Sequence, residues 1–423
     1  MTLVEFFDRD DVENVCSAFA GTPDRVLLLG KNLKLMKRRC ARYAQVLEER
    51  GVKPEFVCRA LNVNNLSAVT DALCRVVEEY GDCVVDLTGG EDLYLVAAGV
   101  VSERFRDKNV QMHRFNVKNN TVTDVDADGV TLLSCQAPRL SVEENVKIYG
   151  GDVKYGNLKR GATVKWELTD PFKADINAMW DICRRDPRLW NNQIAVLDIA
   201  DSLSDSRDPL HTRVAASRLG DAAEDAGVGY VASRRVLSAL EEAGLITDFS
   251  ADGGVFELRY KDPQIKYCLN AAGQALEMKI YLAALEATDD KGEKVYNDAL
   301  NGVCIDWDGE FGEDAGVNTA NEIDVMMMRG MVPVFVSCKN GRVDMNELYK
   351  LDSVASRFGG KYAKKVLVAS SLEDGSFAES LRQRAGDMGI RIVEGYSRGG
   401  HKRALTQMTD AELNRVVRSL WSN

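Results

Sequence analysis

Histidine is scarce in this 423-residue sequence, which has three of them, His113, His211 and His401. That argues against a histidine-rich metal centre. Ten cysteines are present, at positions 16, 40, 58, 74, 83, 135, 183, 268, 304 and 338, yet no Cys-x-x-Cys pair. Most sit inside apolar runs, so buried free thiols in a reducing compartment are expected, in place of a disulfide framework or a zinc cage. A positive excess is missing too: 54 Lys and Arg stand against 65 Asp and Glu, a formal charge of −11. That argues against a protein that coats nucleic acid through overall charge, while leaving open a local grip on a short stretch of backbone. No apolar run is long enough to cross a bilayer, and Met1 leads directly into the acidic, strand-like "TLVEFFDRDD", with no signal-peptide core. The length and ordinary globular composition point to a cytoplasmic chain of two or three domains, with no membrane partner.

What is present divides into three regions. Residues 1–165 alternate strands and helices: "RVLLLG" (Arg25 to Gly30), "PEFVCRAL" and "CVVDLTGG" are strands, and "NLKLMKRRCARYAQVLEERG", "SAVTDALCRVVEEYG" and "DLYLVAAGVVSERF" are helices. Apolar strands in such alternation predict a parallel sheet covered on both faces, a Rossmann-like α/β layer. "VQMHRFNV" and "NTVTDVDADGVTLLS" read as hairpin material added to that sheet. Residues 166–265 differ. "TRVAASRLGDAAEDA" and "VASRRVLSALEEAGLI" are helical, and "TDFSADGGVFELRY" is a hairpin with Asp-Gly-Gly at its turn. Helix, helix, wing is the outline of a winged helix. It fits DNA recognition or a rigid connector, and the second helix balances Arg234 and Arg235 against Glu241 and Glu242. Residues 266–423 form an α/β domain with a mixed sheet, opening on the helix "GQALEMKIYLAALEA".

Within the third region, "NEIDVMMMRGMVPVFVSCKNG" (321–341) reads as two strands joined at Arg329, Gly330 and Met331. Residues two apart on a strand share a face, which pairs Glu322 with Asp324 on one arm and Ser337 with Lys339 on the other. These charges are either a solvated face or a site. As a site, two carboxylates and a lysine suit phosphodiester hydrolysis. Hard divalent cations take carboxylate oxygens, and a lysine positions water or stabilises developing charge. On the preceding helix, Glu277 shares a face with Ile280, Tyr281 and Ala284, so it is either a further ligand or a flank residue reaching solvent. From Lys339 to Arg403 there are thirteen Lys or Arg against eight Asp or Glu, a local surplus of five in an acidic chain. A basic surface beside the site is what a nuclease needs.

Two strand ends of the first region stand out as anion sites, "LLLGKN" with Gly30, Lys31 and Asn32, and "VDLTGG" with Thr88, Gly89 and Gly90. Glycines let backbone N–H groups approach a phosphate, a helix N-terminus favours it, and Thr88 can donate to it. Equally, tight strand-to-helix turns use glycine for conformational reasons alone.

The order Glu277, Asp324, then Ser337-Cys338-Lys339 resembles the PD-(D/E)xK core of restriction-endonuclease-like enzymes. More narrowly, the 321–341 hairpin followed by "ELYKLDSVASRFGGKY" resembles CRISPR-associated ancillary nucleases, which join an N-terminal CARF domain to a C-terminal PD-(D/E)xK domain. The resemblance implies Asp324 as core metal ligand, Lys339 as motif lysine and Glu277 as helix carboxylate, with Mn²⁺ or Mg²⁺ as the metal. Ser337 departs from the motif, where an acidic residue stands two before the lysine. Either Glu322 supplies that carboxylate or Ser337 acts through water. "DLTGG" together with the "LLG" strand end is similar to CARF ligand-binding motifs. It implies a cyclic oligoadenylate activator, usually cyclic tetra-adenylate, bound by Gly30, Lys31, Asn32, Thr88, Gly89 and Gly90, with Asn64 and Asn65 lining the same pocket. A two-fold ring implies a homodimer. Glu91 and Asp92 either point away from this anion or meet its ribose hydroxyls.

The resemblance therefore implies a ligand-gated, metal-dependent nuclease acting on DNA or RNA in type III CRISPR defence, with a middle region that transmits the change. Two rivals stay open: a CARF winged-helix regulator whose nuclease domain is inactive, and an unregulated nuclease. In the unregulated case the N-terminal domain binds another nucleotide; a third, non-exclusive reading has the CARF pocket slowly degrade its own activator.

Overall fold

Six strands of the N-terminal region hydrogen-bond in the order Glu55–Ala60, Arg25–Gly30, Thr2–Phe6, Cys83–Asp86, Gln111–Asn116, Thr121–Asp124. The first four pairings are parallel and the last is antiparallel. Val26, Leu27 and Leu28 are fully buried, which is why the strand reads as an unbroken apolar run. Helices Leu33–Glu49, Leu66–Tyr80 and Asp92–Arg104 make the crossovers. Strand order reverses between Thr2–Phe6 and Cys83–Asp86, so the crevice where α/β sheets take ligands lies beyond the carboxyl ends of those two strands. The computed structural model describes residues 1–61, 64–106, 108, 110–125, 138–229, 234–308, 320–372, 375–398 and 401–422. Part of the hairpin expected in "NTVTDVDADGVTLLS", Cys135, and the start of the helix expected in "VASRRVLSALEEAGLI" lie outside the described residues.

The middle region holds the expected winged-helix outline, with helices Ala216–Asp225 and Arg234–Glu242 and an antiparallel sheet ordered His211–Ala215, Val255–Tyr260, Ile246–Ser250. Two helices precede it, Asp170–Cys183 and Pro187–Ser202. Thr169 and Asp186 cap their N-termini, and a proline stands in each first turn.

The third region's sheet is ordered Ile390–Val393, Lys364–Ala369, Val332–Lys339, Ala320–Arg329, Asp298–Asp306, Asp152–Val153. The two pairings from Val332–Lys339 outward through Lys364–Ala369 are parallel, and the other three are antiparallel. Its last strand comes from before residue 165, so the first stretch of chain reaches into the third region's sheet. Helix Gln274–Glu286 covers one face, packing with Val325, Met327, Val334 and Val336. Helix Met345–Gly359 covers the other, packing with Met326, Met328 and Phe335. That second core also contains Leu3, Val26 and Tyr43 of the N-terminal layer, so one apolar body joins the N-terminal and hairpin-bearing regions. Among the described residues, no helix is long and apolar enough to cross a membrane.

Candidate active site

The hairpin is apolar because it is sandwiched: both faces of Val332–Lys339 are buried, and the run Met326-Met327-Met328 is fully so. Its charges gather at the open end. The two arms pair from Arg329 with Val332 to Val325 with Val336, and the next residues on each arm are Asp324 and Ser337. Here the Asp324 carboxylate takes the place of a backbone acceptor, receiving the Cys338 N–H at 2.6 Å and the Ser337 hydroxyl at 3.3 Å. A carboxylate anchored by a strand amide is held in one rotamer, which a cation site requires.

Lys339 Nζ lies 3.7 Å from Asp324 Oδ2 and 2.9 Å from Glu347 Oε2. Glu347 stands in the first turn of helix Met345–Gly359, and its other oxygen meets Lys350 at 2.8 Å. Burial would lower the Lys339 pKa, but the facing carboxylates of Asp324 and Glu347 outweigh it and hold the ammonium above its usual value. For Glu347, burial acts upward, and Lys350 and Lys339 together pull the carboxyl below its usual range.

The three acids expected as ligands repel one another. Burial, then Asp324 and Glu322, push Glu277 well above the usual carboxylate range. Burial and Asp324 raise Glu322, and burial raises Asp324 although Lys339 and the Cys338 and Ser337 hydrogen bonds oppose it. Hard oxygen donors that raise each other's proton affinity are in the electrostatic state that a bound cation relieves, and oxygen is the donor type a hard divalent ion takes. Among the described residues, no three His, Cys, Asp or Glu side chains lie close enough together to hold a metal ion.

Two cavities meet at Glu322. One, of about 290 Å³, is lined by Asp324, Ser337, Lys339, Glu347 and Lys350. The other, of about 420 Å³, is lined by Glu277, Gln274, Tyr267, Asp198 and Arg160. The site thus lies at the ends of two interior strands of the sheet, with Glu277 on the helix covering one face and Glu347 on the helix covering the other.

Several residues here escaped the sequence reading. Asn301, on the unread strand Asp298–Asp306, donates to the Asp324 carbonyl at 3.0 Å and accepts from Gln274 at 2.8 Å. Asn340, directly after Lys339, pairs reciprocally with Asn191 of helix Pro187–Ser202, donating to it at 2.8 Å and accepting through its own carbonyl. Glu347 had a signal, since Asp344-x-x-Glu347 follows the lysine by one turn, but that pattern also reads as helix capping.

In the N-terminal crevice, Asn32 caps helix Leu33–Glu49 and Asn65 caps helix Leu66–Tyr80, their side chains accepting from Leu35 and Ala68 N–H groups at 3.0 and 3.1 Å. Lys31 is paired with Glu91 at 2.8 Å, which accounts for the carboxylate at that helix start. Gly30 and Gly90 are small for packing reasons: an added Cβ would meet Phe7 at 2.8 Å and Phe6 at 2.6 Å. The Thr88 hydroxyl donates to Asp86 and accepts from the Phe115 N–H at 2.8 Å, so its one proton is spent inside the protein. Gly89 lies beside Asp8, and the Gly90 N–H donates to Asp8 Oδ2 at 3.1 Å.

From that glycine a hydrogen-bonded chain crosses to the hairpin's covering helix. Asp8 Oδ1 accepts from the Asp10 N–H at 2.9 Å, and Asp10 accepts from the Lys361 N–H at 2.8 Å and from the Tyr149 hydroxyl. Beside it, Glu13 holds Lys361 Nζ at 2.7 Å and accepts from the Tyr362 hydroxyl. Lys361 directly follows the helix that carries Glu347.

No protein-family profile matches the sequence, and no curated protein does. Solved structures do. A protein of Vibrio cholerae, VC1899, superposes with a TM-score of 0.71 at 17% identity, covering 99% of this chain and 97% of its own. Can2 from Sulfobacillus thermosulfidooxidans, solved in complex with cyclic tetra-adenylate, superposes with a TM-score of 0.63 at 16% identity, covering 100% of this chain and 97% of its own. The chain therefore shares, end to end, an α/β architecture with these two proteins.

Proposed function

We propose that the chain is a nuclease switched on by a cyclic oligoadenylate, with cyclic tetra-adenylate as the first candidate, serving type III CRISPR defence. The observation that carries this reading is the pairing of Lys339 with Asp324 at the open end of a buried hairpin, with Glu322 lining the same cavity and Glu277 the cavity beside it. Asp324, with Glu322 and Glu277, would hold Mn²⁺ or Mg²⁺, both of which take oxygen ligands. When bound, the ion would lower the pKa of a water and offset charge on phosphoryl oxygens. Lys339 faces the same cavity, and its ammonium is charged and oriented before substrate arrives, as stabilisation of a developing oxyanion requires. Ser337 stands where the motif has an acid and acts on Asp324 by hydrogen bond. Glu322, lining the same cavity, is our choice for the missing carboxylate.

For the sensor, the reading rests on the crevice at the strand-order reversal, the two capped helix N-termini beside it, and the likeness to Can2, whose structure holds cyclic tetra-adenylate. A two-fold ring suits a pocket completed by a second copy, so the active species is a homodimer. Ligand acts through its differential affinity for two arrangements. The chain from Gly90 through Asp8 and Asp10 to Lys361 is the route by which the hairpin's covering helix would feel it.

Ser337 favours one other reading, a ligand-responsive winged-helix regulator with an inactive nuclease domain. Cleavage of labelled single-stranded DNA, single-stranded RNA and supercoiled plasmid with Mn²⁺, with and without cyclic tetra-adenylate, separates the two. Activity that needs the ligand and disappears in Asp324→Ala and Lys339→Ala supports the nuclease. Ligand binding with no cleavage of any substrate supports the regulator.

A further inference from the structure

We infer that a second phosphate-binding subsite lies on the wall built by the middle of the chain, with Arg160 as its cation. The inference rests on the nuclease reading and extends it to the path of the substrate strand. The two cavities share Glu322, and the larger, of about 420 Å³, is of a size that takes a small organic ligand. Lys339 and Lys350 line the first. In the second, Arg160 is the one Lys or Arg among the described lining residues, and Glu277, Glu322 and Asp198 line the same cavity.

A phosphodiester strand leaving Asp324 toward this side meets three carboxylates, Glu277, Glu322 and Asp198, and is repelled unless a cation answers them. Arg160 is placed to do so. One of its terminal nitrogens lies 2.7 Å from Asp198 of helix Pro187–Ser202 and also donates to the Asn270 carbonyl, which follows helix Pro263–Leu269. These contacts orient the guanidinium while using one nitrogen of a five-donor fork, and the side chain stays 63% exposed. An oriented, exposed guanidinium at a cavity rim matches phosphate geometry. The Arg160–Asp198 pair alone is a surface ion pair worth little for stability, so packing gives no strong reason for an arginine there. Tyr267, on the same wall, offers an aromatic surface next to the phosphate path.

The test uses the full chain carrying Asp324→Asn to stop turnover, saturated with cyclic tetra-adenylate. Fluorescence anisotropy follows a labelled single-stranded DNA of roughly 12 nucleotides and the matching RNA, between about 50 and 200 mM salt. Adding Arg160→Ala is expected to weaken binding about fivefold at low salt and to reduce the slope of log affinity against log salt by about 0.7, the loss of one single-strand phosphate contact. Arg160→Lys keeps the slope. The nucleic acid whose slope changes is the strand that crosses this wall. Unchanged affinity, or weakening with an unchanged slope, overturns the subsite, the latter marking Arg160 as a structural tie. If Lys350→Ala weakens binding and Arg160→Ala does not, the subsite alone fails. If the parent binds neither strand, the nuclease reading fails with it.

Discussion

Lys339 lies nearer to Glu347, at 2.9 Å, than to Asp324, at 3.7 Å. The lysine therefore belongs as much to the covering helix as to its own strand, and Glu347 in turn is shared with Lys350. Strand and helix fix one ammonium between them, and its orientation depends on both.

Replacing Glu347 by Gln should lower kcat by about tenfold, the usual cost of losing an orienting partner in a metal site. It should also let the Lys339 pKa fall, because one of the two carboxylates that raise it is gone. The alkaline limb of the pH–rate profile then moves to lower pH while KM changes little. Identical alkaline limbs in parent and variant would show that Glu347 does not tune the lysine.

Glu277, Glu322 and Asp324 all keep their protons to higher pH than ordinary carboxylates. The deprotonated forms are the ones that take a cation, so cleavage should rise with pH along a limb lying above 4.5, the ordinary glutamate value. More Mn²⁺ competes with protons and moves that limb down. Stability runs the other way. A folded-state pKa raised above the unfolded one gives a contribution that is complete below the unfolded value and is lost as pH rises through the folded value. Glu277→Gln removes that loss. With chelator present, the variant's melting temperature should fall less than the parent's as pH is raised, and the variant should cut nothing. Melting temperatures that fall equally with pH in parent and variant, by scanning calorimetry, would contradict this repulsion.

Asp10→Ala should leave ligand affinity within a few-fold of the parent and reduce the ligand-dependent acceleration about tenfold. It strands the Lys361 N–H and the Tyr149 hydroxyl, at a cost of about 1–3 kcal/mol. Titration calorimetry with cyclic tetra-adenylate, set beside cleavage with and without it, gives both numbers. An unchanged activation ratio would mean that the signal travels elsewhere.

The parallel strands were legible in the sequence because burial on both faces leaves an unbroken apolar run, as in "RVLLLG". The hairpin was legible because period two groups Glu322 with Asp324 regardless of what packs above them. Strand Asp298–Asp306 was not, since Asn301 and Gly302 interrupt its pattern, and Asn301 is there to serve Asp324, Gln274 and Trp166 rather than to favour a strand. Asn191 and Asn340 were out of reach for another reason. Their pairing spans 149 residues of chain, and no local period records a partner chosen by tertiary packing. Thr88 has the right chemistry for an anion in sequence, yet its hydroxyl is committed to Asp86 by a fold the sequence reading could not consult.

Gly360 ends the helix that bears Glu347 with a φ of +53°, and a side chain there would collide with the Asp10 carboxylate and the Tyr149 hydroxyl. The two halves of the protein therefore fit as a key fits its own lock. A different N-terminal region grafted onto residues 266–423 would need to bring its own acid to this glycine, so the two parts are not interchangeable modules.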